Sequence, residues 1–311
     1  HVSSRLIGNR EWHYSNAFLR PIVLAPHSEQ TIYALVCTGT SKQVNEQIEK
    51  FHSTPEAFIS SIPKDSNNLG KRILSNGKKY EFGHRLLQSA LLSNIVYPVH
   101  TQGQYIRHFT PGKNWNSLYT WDSGFIALGL IDIDITKAFE CIRAYTTPVG
   151  SESAFIHHGT PLPIQLYAYY DLWNNTQSKE ALQFLYPRLK QFFDFMVGKN
   201  PYSTTRMKGS GLLRTWDYFY NSGGWDDYPP QHALRDKASV TPVVTSAYYI
   251  RAAKILRLAA KELGFKKDVK EYEHIIKQLS ESLQAHSWDE ETGYFLSLIH
   301  ISEPTRLLSI S

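Results

Sequence analysis

The chain has 311 residues, which is long enough for more than one hydrophobic core, so two domains are expected. The 33 basic residues exceed the 28 acidic residues by only five and are spread along the chain, which argues against nucleic acid or an anionic membrane as a partner. No apolar run reaches the roughly 18 residues of a spanning helix, so membrane insertion is not expected. The two cysteines, Cys37 and Cys141, are far apart and predict neither a disulfide framework nor a thiolate metal site.

The first part of the chain predicts strands. Short β-branched or aromatic runs occur at Pro21–Leu24 and Thr31–Val36 and are separated by turn-forming residues. We interpret residues 1–41 as the end of an N-terminal β-sandwich domain. Residues 42–76 follow as a helical linker whose second half is rich in turn-forming residues.

From residue 77 the pattern becomes helical, with long aromatic loops between the helices. Apolar residues at three- and four-residue intervals mark helices with one buried face, which pack on one another as hairpins. The predicted helices are Tyr80–Asn94, Asp134–Tyr145, Pro161–Trp173, Ser178–Val197, Ser246–Leu263 and Asp268–Ala285. The loops Gly103–Trp121 and Gly209–Thr241 are longer than ordinary connectors, which favours a functional role for them.

The two ends of the chain carry expectations of their own. Residues 296–311 resemble the translation of a sequencing-library adapter, and we expect them to be a non-native tail. The helical domain, residues 77–295, would then be incomplete, and apolar helix faces such as Val269, Tyr272 and Ile276 would lack partners. A chain of this extent is therefore predicted to be inactive and poorly folded. The missing initial methionine leaves a removed leader possible.

Aromatic residues make up 13% of the chain, and rings with a polar edge suit binding sites that are half apolar and half wet. The strongest motif is Asn221–Pro230, where Gly223 and Gly224 precede Trp225, Asp226 and Asp227. Glycines let the backbone approach a ligand closely, and a carboxylate held beside aromatic rings can stay protonated as a general acid. A surface turn that happens to contain Trp is an equally good interpretation of the spacing.

The second motif is Thr110–Phe125, which leads into an apolar helix. Asp122 follows Tyr119 and Trp121, and its short carboxylate could accept two sugar hydroxyls. From spacing alone, an N-capping aspartate with Trp121 in the core is slightly favoured. The adjacent histidines His157 and His158 would point in opposite directions, so no metal site is predicted, and no cofactor motif occurs.

Together these motifs resemble the six-hairpin glycosidase clan, in particular glycoside hydrolase family 63 and the family 37 trehalases. The matching elements are Tyr119–Phe125 and Ser222–Pro229, with weaker support from Gly159–Pro163 and from Trp288–Asp289 with Gly293–Phe295. The resemblance implies a mainly α fold, an incomplete (α/α)6 six-hairpin barrel preceded by the last strands of a β-sandwich. It also implies an α-glycosidase that inverts the anomeric configuration and needs no cofactor. An extra glycine before Trp225 and the missing arginine-rich loop of trehalases make trehalose a poor substrate candidate.

Carried over residue by residue, the resemblance makes Asp226 the general acid and Asp227 a sugar-binding carboxylate. Trp121, Asp122 and Trp225, with Gly224, would line the subsite of the sugar that is cleaved. Trp115 and His158 would lie at its rim. The general base of an inverting enzyme stands on the opposite side of the sugar with space for a water. In the family it comes later in the chain than this sequence reaches, so we assign no residue to it.

The expected partner is an oligosaccharide or small glycoside, with an α-glucoside as the first choice. Localisation is undetermined, although analogy with the family favours the periplasm or the extracellular space. Two alternatives stay open. An inactive relative could bind carbohydrate through the tryptophans alone, and a uronate lyase or a phosphorylase could use the same barrel. A lyase would need a Tyr/His pair near an Arg or Asn that neutralises a carboxylate. Arg107–His108 could serve in this way, although no acidic-sugar cluster accompanies it.

Overall fold

The computed structural model describes residues 2–8, 13–19, 21–37, 39–61, 74–101, 104–112, 115, 119–154, 161–199, 205–214, 241–300 and 303–304. The chain divides into two compact units, residues 1–67 and 68–311. Within the described ranges, every helix is too short or too polar to traverse a bilayer.

The described part of the first unit contains one β-hairpin and two helices. Strands β1 (Val2–Gly8) and β2 (His13–Leu19) pair antiparallel, with Val2 opposite Leu19 and Gly8 opposite His13. Helices α1 (Ser41–Ser53) and α2 (Pro55–Ser61) follow. A capping box starts α1, because the Thr40 hydroxyl accepts from the Gln43 amide while the Gln43 side chain accepts from the Thr40 amide.

The strands in residues 1–41 are not where the sequence predicted them. Pro21–Leu24 and Thr31–Val36 form no strand, and nearly all of their residues are exposed. A β-branched run is extended by preference, but it becomes a strand only when its backbone groups find a partner edge. Pro21 and Pro26 also lack the N–H that a ladder requires. Whether β1 and β2 end a β-sandwich stays a prediction.

The second unit opens with a helix and a hairpin. A 3₁₀ turn (Ser75–Tyr80) runs into α3 (Glu81–Ser93), and strands β3 (Ile95–Thr101) and β4 (Gln104–Phe109) form an antiparallel hairpin with an irregularity between Val96 and Val99. The predicted loop from Gly103 therefore has secondary structure of its own. Its first part is β4.

Among the described residues, six helices in three hairpins build the main body of the second unit. They are α4 (Thr120–Ile131) with α5 (Ile135–Ala144), α6 (Ile164–Thr176) with α7 (Lys179–Met196), and α8 (Val243–Glu262) with α9 (Lys266–His286). Short β bridges follow α9: β5 (Trp288–Asp289) pairs with β6 (Tyr294–Phe295), and β7 (Leu298–His300) with β8 (Glu303–Pro304).

The sequence of each helix explains its place in the body. The first helices of the hairpins, α4, α6 and α8, are apolar around much of their circumference and pack against one another in succession. The second helices, α5, α7 and α9, are amphipathic and bury one stripe. Side-chain caps start α5 at Asp134 and α7 at Ser178. This alternation produces an inner and an outer helical layer around one core.

The apolar face of α9 has partners, contrary to the expectation from the sequence. Tyr272 is fully buried, its ring meets that of Phe193 on α7 edge to face at 5.5 Å, and Val269 and Ile276 pack against the main core. The prediction that this face is left uncovered was wrong, because α7 and α8 already enclose it.

Charged residues join α7 to α9 beside this contact. Lys199, just after α7, lies 2.5 Å from the Glu271 carboxylate and 3.1 Å from Asp194. Lys190 adds a 3.0 Å bond to Asp194. Burial alone would raise the pKa of Glu271, but the hydrogen bond and charge of Lys199, with Lys190, hold that pKa below its ordinary value.

Candidate active site

The first turns of α4 and α6 lie in direct contact. Gly124 allows this approach, since a Cβ at its position would stand 2.5 Å from the backbone carbon of Ile164. The side-chain amide of Gln165 donates to the carbonyl of Thr120, which ties the two turns together. Trp121 and Asp122, which belong to the second sequence motif, therefore lie where two inner helices begin.

Asp122 lies inside the first turn of α4 and does not cap it. The N-cap is Tyr119, whose side chain makes no capping bond, so the N-capping interpretation of Asp122 was wrong. A carboxylate in a first turn is stabilised by the unpaired amides of the helix start. Trp121 is half-buried, and its ring meets Phe125 edge to face at 5.7 Å.

The surroundings of Asp122 are rigid. Tyr145, the C-cap of α5, donates from its hydroxyl to the Phe109 carbonyl at 2.6 Å and accepts from the Phe109 amide at 3.1 Å. Burial raises the pKa of Tyr145, and the charges of Cys141 and Asp122 raise it further. The Asp122 carboxylate therefore lies near a fixed neutral phenol that joins β4 to α5.

Trp115 is the outer aromatic of the motif. Its side chain is 58% exposed, its backbone amide donates to Gly112 at 2.9 Å, and its ring meets Tyr119 edge to face at 5.9 Å. An exposed ring held by a turn and by a second ring is suited to stack on a sugar. This position agrees with the predicted place of Trp115 at a rim, and its role stays a prediction.

The first half of helix α8 lies beside the start of α6. Arg251 lies over the ring of Tyr167 at 4.2 Å from its centroid, so the first halves of the two helices run side by side. The predicted acid loop enters the described part of the chain at Thr241, directly before α8. Five predicted site residues lie outside the described residues: His158, Gly224, Trp225, Asp226 and Asp227.

Buried polar side chains mark this end of the helical body. Gln165 and Thr241 are buried, and among the described residues neither the Oε1 of Gln165 nor the Oγ1 of Thr241 has a hydrogen-bond partner. Ser246 of α8 accepts from the Leu213 amide at 3.0 Å. Unpaired buried polar atoms are costly, so they are informative near a ligand site. Gln165 was not predicted from the sequence as a site residue, although a polar residue between Ile164 and Leu166 was the available signal.

The pair considered for lyase chemistry does not form one open cationic site. Arg107 binds Glu140 with an N–O distance of 2.9 Å, which neutralises its charge, and His108 is buried next to it along β4. Among the residues that the structure describes, no group of three His, Cys, Asp or Glu side chains could hold a metal ion. Cys141 is buried and its thiol faces the Ser123 carbonyl at 3.4 Å.

Comparison with known families assigns the helical body. Residues 163–309 match a family described as the bacterial alpha-L-rhamnosidase 6 hairpin glycosidase domain. The helical body is therefore similar to a six-hairpin glycosidase domain over these residues. This similarity confirms the predicted fold class and the six-hairpin resemblance. The match extends into residues 296–309, which we expected to be non-native. In the structure the Leu296 amide donates to Ser287 at 2.6 Å, and the Ser297 hydroxyl accepts from Val243 at 3.2 Å.

Several solved structures are similar to this chain. The GH63 mannosylglycerate hydrolase from Thermus thermophilus, in complex with Tris, has 20% identity and a TM-score of 0.48 over 68% of this chain and 66% of its own. The same enzyme with Tris and D-glycerate has 19% identity and a TM-score of 0.48 over 67% of this chain and 66% of its own. The GH78 family rhamnosidase of Bacillus sp. GL1 has 14% identity and a TM-score of 0.44 over 58% of this chain and 18% of its own. The chain thus spans less than two thirds of these structures. No curated protein sequence matches it.

Proposed function

We propose that the protein is a glycoside hydrolase that cleaves an α-glycosidic bond with inversion, with Asp226 as the general acid. The observation that carries this proposal is the six-hairpin glycosidase match, which spans the loop containing Asp226. The geometry of the described residues supports it, because the starts of α4 and α6 meet and the predicted acid loop leads into α8, whose first half lies beside α6.

The proposed division of labour follows from the chemistry of inversion. Asp226 protonates the leaving oxygen, while a carboxylate opposite it activates a water, the two being about 6.5–9.5 Å apart. Asp122, in the first turn of α4, accepts sugar hydroxyls, with Trp121 and Trp225 packing on the apolar face of the ring. Asp227 binds the sugar from the same loop, beside Gly224. Trp115 and His158 contact the next sugar or the aglycone at the rim.

Two sugars are candidates for the cleaved residue. An α-glucoside follows from the family 63 resemblance of the Trp–Asp motifs. An α-L-rhamnoside is the second candidate, because the matching family is described as an alpha-L-rhamnosidase domain. Arg107 is paired with Glu140, which disfavours the lyase alternative that needs a free cation for a uronate.

The experiment is a hydrolysis panel with product analysis. The purified protein is incubated with 4-nitrophenyl α-glucoside and α-L-rhamnoside and with matching disaccharides, and proton NMR follows the first anomer released. We expect the β-anomer to appear first from an α-linked substrate. First appearance of the α-anomer would refute inversion. Saturable sugar binding without turnover of any substrate would support the carbohydrate-binding alternative instead.

A further inference from the structure

A groove with an unbalanced positive charge lies on the outer side of the helical body. It is bounded by the β3–β4 hairpin, the last turn of α5 and the middle of α7, and it encloses about 210 Å³. Three arginines line it, Arg107, Arg143 and Arg188, together with one carboxylate, Glu140. We call it the arginine groove. It contains none of the residues assigned to the glycosidase site.

The charges of the arginine groove do not cancel. Glu140 binds Arg107 at 2.9 Å, which leaves Arg143 and Arg188. In the part of the chain that the structure describes, neither of these two guanidiniums pairs with a carboxylate. Arg188 donates one bond, from Nη1 to the Thr146 carbonyl at 3.1 Å, and this carbonyl is neutral. The groove therefore carries two uncompensated positive charges.

The two guanidiniums share a neighbour as well as the groove. Both lie over the ring of Phe184, with Arg143 at 5.7 Å and Arg188 at 4.9 Å from its centroid. Burial lowers the pKa of Arg188, and the like charge of Arg143 lowers it further. Two like charges that line one groove repel each other when the groove is empty, and an anion that binds to both of them offsets this repulsion.

We propose that the arginine groove binds a phosphate group, either inorganic phosphate or the phosphate of a small monoester. A dianion matches the two free charges, whereas a carboxylate brings a single charge, and a tetrahedral oxyanion can accept from two separate guanidiniums on different edges. The groove volume of about 210 Å³ is several times the roughly 30 Å³ that one water occupies in the liquid, so the groove has room for more than a phosphate. The remaining space lies beside Tyr105, whose ring is 75% exposed at the rim and suits a small sugar.

Isothermal titration calorimetry of the chain with sodium phosphate at pH 7.5 and fixed ionic strength tests this proposal. We expect saturable binding to the wild type, with Kd raised roughly tenfold or more by Arg143→Gln, because a charge-assisted bond is lost. Arg188→Gln should have a similar effect, but it also removes the bond to Thr146. Arg143→Gln, which breaks no hydrogen bond of its side chain, is therefore the decisive variant.

Arg257→Gln is the matched control. It removes the same charge from α8, where Arg257 lies 3.7 Å from Glu273 and does not line the groove. It should bind phosphate as the wild type does. Titration with glucose 6-phosphate separates the two sources: tighter binding than phosphate indicates a phosphorylated sugar, and weaker binding indicates free phosphate. Absence of saturable binding of both probes, equal affinity for acetate, or unchanged affinity in Arg143→Gln would overturn the proposal.

Discussion

Replacing Gly124 by alanine tests the contact on which the candidate active site is built. The new Cβ would stand 2.5 Å from the backbone carbon of Ile164 and 2.5–2.6 Å from two of its side-chain atoms. Because two of these three atoms are the backbone carbon and the β-branched Cβ, the helices themselves must separate. Overpacking of this kind costs about 1–3 kcal/mol, or more when backbone has to move. The higher helix propensity of alanine returns about 1 kcal/mol.

A matched control exists in the same unit. Gly83 lies within α3, and a Cβ there would meet nothing within 4 Å. Gly83→Ala should therefore stabilise the protein by about 0.5–1 kcal/mol through helix propensity alone. Gly129→Ala is intermediate, since its Cβ meets only the flexible end of Leu91, at 2.7 Å. The expected order of stability is Gly83→Ala, then Gly129→Ala, then Gly124→Ala.

Urea unfolding followed by circular dichroism at 222 nm measures this order. The signal reports mainly the helices of residues 68–311, where all three glycines lie. The two extreme variants both gain helix propensity, so we expect their free energies of unfolding to differ by the overpacking cost, about 1–3 kcal/mol. Equal midpoints for Gly124→Ala and Gly83→Ala would refute the close approach of α4 and α6, and with it the placement of Asp122 beside the start of α6.

Three further predictions concern the catalytic loop and the helical body. Asp226→Asn should lower turnover of a natural disaccharide by about 10²- to 10⁴-fold while retaining activity on a glycosyl fluoride, and Asp227→Asn should mainly raise KM; steady-state kinetics measures both. Tyr145→Phe should lower the free energy of unfolding by about 1–3 kcal/mol, because the buried backbone of β4 loses both of its bonds to the hydroxyl. Glu271→Gln should destabilise the protein by about 1 kcal/mol or less at pH 7, since the ion pair with Lys199 is partly exposed.

The pH dependence of the Glu271→Gln effect has a definite sign. The folded-state pKa of Glu271 is lowered, so its contribution is present above the ordinary glutamate value of 4.5 and is lost as the pH falls through the lower folded value. A difference from the wild type that grew on acidification would contradict the ion pair. The control for Tyr145→Phe is Tyr294→Phe. Because Tyr294 is exposed, its substitution should leave the free energy of unfolding nearly unchanged. Exchanged phenotypes of the Asp226 and Asp227 variants would place the acid at the second position.

Much of the helical body could be predicted from sequence because its signals are local. Helix α7 was predicted as Ser178–Val197 and observed as Lys179–Met196, and α5 lies inside its predicted range, Asp134–Tyr145. Both helices are amphipathic, and a side chain caps the start of each, so periodicity and the cap residues are sufficient. The strand predicted at Thr31–Val36 was wrong for the opposite reason. The segment has the composition of a strand, but composition does not specify the neighbouring strand edge with which it would have to pair.

The candidate site divides in the same way. Trp121, Asp122 and Asp226 were predicted through the resemblance of their motifs to six-hairpin glycosidases, and their roles stay predictions. The residues that surround them could not be predicted, since these contacts join residues distant in the chain. The Gly124–Ile164 approach, the Gln165 bond to Thr120 and the two arginines over Phe184 depend on contacts between different helices. Local sequence determined the helices and the chemistry that their loops suggest, while only tertiary packing decided which helix starts meet and which charges face each other without a counter-ion.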